Sequence, residues 1–212
     1  MSTEWDIHYA LELQWLKEPA VIGGNRLHLI ACEVMPDGWR INDPTGYWAS
    51  PSIDFLLIAD DGTLWIGELK NRRDSPRDAW NAFCQVIYTE YLFRENGFSD
   101  NVIPYILRNY AADLAKRNNT PQTKDIHLPK FSGQIRCMLI ASSLKPWCAV
   151  TSKVSKLNFG EIKQYLRSMY SSDSKANLAM KRFCTMNLPD DAVFTIPTLC
   201  LLTGSRLIEV QC

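Results

Sequence analysis

Asp54 and the triplet Glu68-Leu69-Lys70 place two carboxylates and one ammonium on two short apolar segments. Carboxylates are hard oxygen donors, and Mg²⁺ is held by one or two of them while keeping waters and taking substrate phosphate oxygens. Such an ion polarises a phosphoryl group and lowers the pKa of a bound water. A lysine beside it can orient or deprotonate that water, or offset the charge that grows on phosphorus. The chemistry these residue types suit is therefore phosphodiester hydrolysis, provided the chain brings them to one point. No Gly-x-Ser-x-Gly elbow, P-loop or dinucleotide fingerprint is present, and those enzyme classes drop out.

The segments that must position the three residues are Ile53–Ala59 and Thr63–Lys70, separated by Asp60-Asp61-Gly62. Two apolar runs around an Asp-Gly turn read as a β-hairpin whose loop closes with Gly62 in the left-handed conformation. That loop pairs residue 59 with 63 and, counting outward, Asp54 with Glu68. Alternation sets Asp54, Leu56 and Ile58 on one face with Leu64, Ile66, Glu68 and Lys70, and Phe55, Leu57, Trp65 and Leu69 on the other. Both faces are largely apolar, as in a central strand covered on each side. A two-residue loop would instead pair 54 with 69.

Around the hairpin, residues 3–18 read as a helix with Thr3 and Asp6 as a capping pair and Trp5, Tyr9, Leu13 and Leu16 as its apolar face. Glu12 shares that face, where a carboxylate is costly. A short strand follows at Leu27–Glu33, then a long irregular connection over Met35–Pro51. Ser75 caps a helix that runs to about Glu95, with Pro76 in its first turn and Asp78 near the positive end of its dipole. Further helices are expected at Asn101–Lys116 and Asn158–Tyr170, and a buried strand at Ile135–Ser142. Ser171–Arg182 is polar and helix-compatible, and two terminal apolar segments, Phe194–Leu202 and Arg206–Val210, are able to close the sheet.

Pro51-Ser52-Ile53-Asp54 followed by Gly67-Glu68-Leu69-Lys70, with the Asp-Gly hairpin between them, resembles the PD-(D/E)XK nuclease superfamily. The proline stands three residues ahead of the aspartate, a displacement that family tolerates. The resemblance spans roughly residues 3–95. It implies an α/β fold with a restriction-endonuclease-like core, a mixed central β-sheet flanked by helices. It also implies a site in which Asp54 and Glu68 bind Mg²⁺ (or Mn²⁺) and Lys70 serves the water. Two further residues follow from the same resemblance: Glu12, matching a glutamate that the first helix often supplies to the metal, and Gln85, matching a glutamine on the helix after the lysine. Tyr88 follows Gln85 at a step of three where the family spacing is four. Glu12 as a partly exposed surface residue, and Gln85 and Tyr88 as parts of an ordinary amphipathic helix, remain the alternatives.

Charge is unevenly spread in this neutral chain: residues 1–100 hold 8 Lys+Arg against 16 Asp+Glu, residues 101–182 hold 14 against 4, and the remainder 1 against 3. An acidic first half can house a cation and a basic middle can face phosphates, although solvated faces of different sign explain the count equally well. Arg72, Arg73 and Arg77 follow Lys70 closely and are candidates for nucleic-acid backbone contact, with a solvated loop as the plainer reading. Trp39, Trp48 and Trp147 are better read as core than as base-stacking platforms. Seven scattered cysteines without a CxxC pair point to reduced thiols, and three widely separated histidines argue against a structural zinc site.

The expectation is one domain over residues 1–212, with its core motifs in 3–95 and a basic and C-terminal elaboration in 101–212. It is soluble and cytoplasmic, with no membrane partner and no signal segment. Its expected function is a Mg²⁺-dependent nuclease acting on nucleic acid, DNA ahead of RNA, with a homodimer or protein partner able to supply target choice. The alternative is a catalytically silent or partner-dependent nucleic-acid-binding or assembly subunit of the same fold.

Overall fold

A computed structural model describes residues 3–36, 40–41, 52–70, 76–118, 128–141, 143, 145–169, 178–203 and 206–210. Pro51, Ser75, Arg72 and Arg73 lie outside these residues, as do most of the expected 35–51 connection and Trp39 and Trp48.

The hairpin forms as its residue types dictate. Strands β4 (Ile53–Ala59) and β5 (Leu64–Lys70) pair antiparallel with Phe55 opposite Gly67 and Ile58 opposite Leu64, the register expected for the three-residue loop. Ala59 N–H donates to the Thr63 carbonyl at 2.9 Å, and Gly62 has φ +81°, a conformation that only glycine adopts without strain. A Cβ at Gly62 would overlap the Lys130 carbonyl oxygen, so the turn is also pressed against the segment entering β6 (Ile135–Ala141).

β4 and β5 sit inside an eight-stranded mixed sheet. Its order is β1 (Ala20–Ile22), β2 (Asn25–Met35), β4, β5, β6, β7 (Thr198–Thr203), β8 (Arg206–Val210), with β3 (Arg40–Ile41) also on β2. Pairing is antiparallel from β1 to β5, parallel for β5–β6 and β6–β7, and antiparallel again for β7–β8. Parallel neighbours require crossovers, and helices α2 (Pro76–Glu95) and α3 (Ile103–Asn118) lie in the β5–β6 connection. Helices α4 (Lys145–Val154), α5 (Phe159–Met169) and α6 (Leu178–Cys184) fill the next one. α4 was not expected from the sequence.

Both faces of the hairpin are covered, which is why Leu56, Leu57, Ile58, Leu64 and Ile66 are all fully buried. Helix α1 (Glu4–Trp15) packs on the Phe55 face, where His8 and Trp15 meet the Phe55 ring at 4.6 and 4.7 Å. α2 lies on the opposite face: Cys137, paired with Ile66, reaches the Val86 carbonyl. The α/β class and the mixed, helix-flanked sheet are thus present.

α1 carries the expected capping box between Thr3 and Asp6, but its buried face differs from the expected one. His8, Leu11, Glu12 and Trp15 point inward, while Trp5 and Tyr9 are 47% and 39% exposed. Apolar residues occur all round this helix, so periodicity leaves its rotation open and contact with Phe55 decides it. Cys32, Cys84, Cys137, Cys184 and Cys200 are free thiols, whereas Cys148 is disulfide-bonded, a departure from the expectation of wholly reduced cysteines. Among the described residues no helix is long and apolar enough to cross a membrane.

Candidate metal centre

The β2–β4 register pairs Cys32 with Phe55 and Val34 with Ile53, which brackets Glu33 opposite Asp54. The β4–β5 register, continued one step beyond Phe55 and Gly67, sets Asp54 opposite Glu68. Three carboxylates therefore form a row across three adjacent strands. Like charges at neighbouring cross-strand positions repel, and the repulsion is stronger away from water.

Each carboxylate is held differently. Asp54 is half-buried, and its Oδ2 accepts the Leu69 N–H at 2.6 Å, so the aspartate is tied to the backbone between Glu68 and Lys70. Glu68 is fully buried; its Oε1 lies 2.6 Å from Lys70 Nζ, and Oε2 has no hydrogen-bond partner among the described residues. Lys70 Nζ also stands 3.8 Å from Glu4 Oε1 at the start of α1. Glu33 is buried, with Ser52 Oγ donating to its Oε2 at 3.0 Å. Its φ of +54° is the only positive value at a non-glycine position among the described residues. For a residue inside a strand that conformation is strained and breaks the regular alternation of side chains.

His8 completes the group from the α1 side. Its ring stacks on Phe55 at 4.6 Å and on Trp5 at 5.4 Å, with interplanar angles of 17° and 9°, which fixes its plane. Nε2 lies 3.1 Å from the Asp54 carbonyl oxygen and 3.5 Å from Glu33 Oε1. One ligand atom each from His8, Glu33 and Asp54 fall within 4.8 Å of one another.

The electrostatics follow from burial and crowding. Desolvation, then the Asp54 charge, pushes Glu68 well above the ordinary carboxylate range, and Lys70 only partly offsets this. Asp54 is also raised, by desolvation against the pull of Lys70, His8 and the Leu69 N–H. Burial opposes the charge on Lys70, but Glu68, Asp54 and Glu4 outweigh it and hold the ammonium protonated. This row of carboxylates, with the Glu68 Oε2 lacking a hydrogen-bond partner among the described residues, fits a divalent cation beside Lys70, and the donors are of the right chemistry to hold one.

Of the residues expected from sequence, Asp54, Glu68 and Lys70 come together. Glu12 does not join them, because its carboxylate is taken by other partners. Arg117 donates to both oxygens, at 2.9 and 2.7 Å, and Tyr110 Oη donates to Oε1 at 2.6 Å. Despite the cost of burial, these bonds hold Glu12 below the usual range. Glu12 thus fastens α1 to α3. Gln85 lies beside the site: its Nε2 donates to the Ser52 carbonyl at 3.4 Å, next to the hydroxyl that orients Glu33. Tyr88 is half-buried and stacks with Tyr91 at 6.3 Å, and Arg77 is exposed on the first turn of α2.

His8 and Glu33 were missed. The signal for His8 was its four-residue step to Glu12, which puts both on one helix face; for Glu33 it was a charged residue closing an apolar strand. A scan against protein-family models, a search of curated proteins and a search of solved structures each return no match for this chain.

Proposed function

We propose that the chain is a metal-dependent nuclease that hydrolyses phosphodiester bonds, with DNA placed ahead of RNA and a restriction-endonuclease-like core carrying the site. The observation that supports this reading most is the Asp54–Glu68 juxtaposition across the hairpin, with Lys70 on Glu68 and the Leu69 N–H on Asp54. Asp54 and Glu68 would hold Mg²⁺ or Mn²⁺. The bound ion supplies Lewis acidity toward the phosphoryl oxygens and a water of lowered pKa.

The chain's own residues do the rest. Asp54 is oriented before any ligand arrives, because its hydrogen bond to Leu69 fixes one oxygen. Lys70, kept as an ammonium by three carboxylates, is suited to orienting the attacking water by donation and to stabilising negative charge on the phosphoryl oxygens. It is poorly suited to removing a proton, so of the roles open to it the electrostatic one is favoured. Gln85 acts through Ser52 on Glu33, as a positioning residue. Arg77, exposed on the first turn of α2, is the candidate contact to a nucleic-acid backbone in this reading.

The test is cleavage of labelled single- and double-stranded DNA and RNA with Mg²⁺, Mn²⁺ or EDTA, comparing wild type with Asp54→Ala and Lys70→Ala. The expected result is metal-dependent cutting that both substitutions reduce by at least about a hundredfold. Absence of cutting on every substrate, with nucleic-acid binding intact, would replace this reading with the silent or partner-dependent subunit.

A further inference from the structure

The nuclease reading above needs only two carboxylates and a lysine, and it leaves a hard Mg²⁺ ion and a softer one equally acceptable. Two features of the centre are not used by it: an imidazole whose plane is fixed by two aromatic rings, and a strained glutamate beside it. We infer that His8 Nε2, Glu33 and Asp54 form the ligand set of a first-row transition-metal site, selective for Mn²⁺-class ions over Mg²⁺. The inference deepens the nuclease reading, and its link to phosphodiester chemistry rests on it.

Geometry carries this assignment. The three ligand atoms come from α1, β2 and β4, three elements far apart in sequence, yet they lie within 4.8 Å of one another. Two ligands of one small ion at about 2.0–2.2 Å stand at most about 4.4 Å apart, so these atoms need to close by no more than a few tenths of an ångström to share one. Each donor is already oriented by a second contact. Ser52 Oγ holds Glu33 Oε2, leaving Oε1 3.5 Å from the His8 nitrogen, and Leu69 N–H holds Asp54 Oδ2. Supporting contacts of this kind are how metal ligands are held in place.

A second observation points the same way. Glu68, the next residue in the cross-strand row, is fully buried with Oε2 lacking any hydrogen-bond partner among the described residues. Lys70 Nζ stands 2.6 Å from Glu68 Oε1 and 3.8 Å from Glu4 Oε1, and the Asp54 charge bears on Glu68 directly. A divalent cation next to Asp54 lowers the repulsion between the neighbouring carboxylates.

The choice of ion follows from the imidazole. Mg²⁺ is served by oxygen donors and dehydrates reluctantly, whereas imidazole nitrogen suits the first-row transition ions. Replacing one oxygen donor with His8 Nε2 therefore shifts preference away from Mg²⁺. Before loading, Nε2–H donates to the Asp54 carbonyl oxygen at 3.1 Å; on loading that bond is given up, the ring's proton sits on Nδ1 instead, and Nε2 presents its lone pair to the ion.

The experiment is calorimetric titration of the metal-free full chain with Mn²⁺ and, separately, with Mg²⁺, joined to pulsed electron-spin-echo spectra of the Mn²⁺-loaded protein. The variants are His8→Phe, which keeps a ring between Trp5 and Phe55, and Glu33→Gln, which keeps the Ser52 contact. Wild type is expected to bind Mn²⁺ at least about tenfold more tightly than Mg²⁺, with nitrogen modulation in the spectrum. His8→Phe should abolish the modulation and remove the preference, and Glu33→Gln should weaken Mn²⁺ by a similar factor. Equal affinities for the two ions, or a Mn²⁺ spectrum without nitrogen coupling in wild type, overturns the assignment even if His8→Phe fails to fold. A nitrogen-coupled Mn²⁺ site in a chain that cuts no nucleic acid would keep this inference and discard the nuclease. Cutting supported equally by both ions, with no nitrogen coupling, would do the reverse.

Discussion

The Asp54 carboxylate accepts the Leu69 backbone N–H at 2.6 Å, so one oxygen of the aspartate is fixed to the strand that carries Glu68 and Lys70. The bond separates the structural role of Asp54 from its charge. Asp54→Asn retains a carbonyl oxygen for Leu69 and should change stability by less than about 1 kcal/mol while weakening metal binding by at least about tenfold. Asp54→Ala orphans a buried N–H and should cost about 1–3 kcal/mol as well. Urea unfolding and metal titration on both variants check this.

Glu68 is expected to destabilise the protein that it serves. Its folded pKa is raised, so near neutral pH the unfolded chain gives up this proton more readily than the folded one. Glu68→Gln should therefore raise the melting temperature of the metal-free protein by roughly 2–4 °C for each kcal/mol of relief, while cutting is lost. Thermal unfolding in EDTA, beside a cleavage assay, reads both outcomes.

The same shifts set a pH dependence. For a carboxyl whose folded pKa is raised, the metal-free protein is relatively most stable below the unfolded value, and the contribution is lost as pH rises through the folded pKa. Asp54 and Glu68 both shift this way. Metal affinity has the opposite slope, because a protonated carboxyl is no ligand, and should climb as pH rises through the same range. Titrations from pH 5 to 8 should show stability without metal falling while Mn²⁺ affinity rises.

Glu12 is expected to matter for stability and little for chemistry. Arg117→Ala leaves a fully buried carboxylate with only Tyr110, and loss of one partner from a buried pair costs about 3–5 kcal/mol, less where the cation is partly exposed as here. Tyr110→Phe should cost about 1–3 kcal/mol. In both variants, cutting per folded molecule should stay within a few-fold of wild type, as measured after correction for the folded fraction.

Gly62→Ala tests the turn. Its φ of +81° is strained for any side chain, and an added methyl would collide with the Lys130 carbonyl oxygen. The substitution should cost more than about 1 kcal/mol and, by disturbing the register, weaken metal binding at Asp54 and Glu68 together. Denaturant unfolding and the same titration decide it.

How much of the site was legible depended on distance along the chain. Asp54, Glu68 and Lys70 could be placed on one face because a three-residue turn fixes the register of a hairpin, and turn chemistry is local. Thr3, Asp6, Pro76 and Asp78 marked helix starts for the same reason. The buried face of α1 was not legible, since Trp5, Tyr9, Leu11 and Trp15 leave the helix nearly without an apolar direction. Glu12, readable from sequence either as a metal ligand or as a partly exposed surface residue, is instead fully buried beside Arg117 and Tyr110, which reach it from a helix 98 or more residues later.

By itself, the sequence determined the hairpin, its register and the convergence of two carboxylates with a lysine, all consequences of alternation and a glycine turn within nineteen residues of chain. Only the tertiary structure decided that Glu33 joins their row and that His8 reaches Asp54 and Glu33. β2 must lie beside β4 before residue 33 can stand opposite residue 54, and α1 must dock on Phe55 before its rotation is fixed. Both are packing outcomes between distant segments, where burial and contact override local pattern.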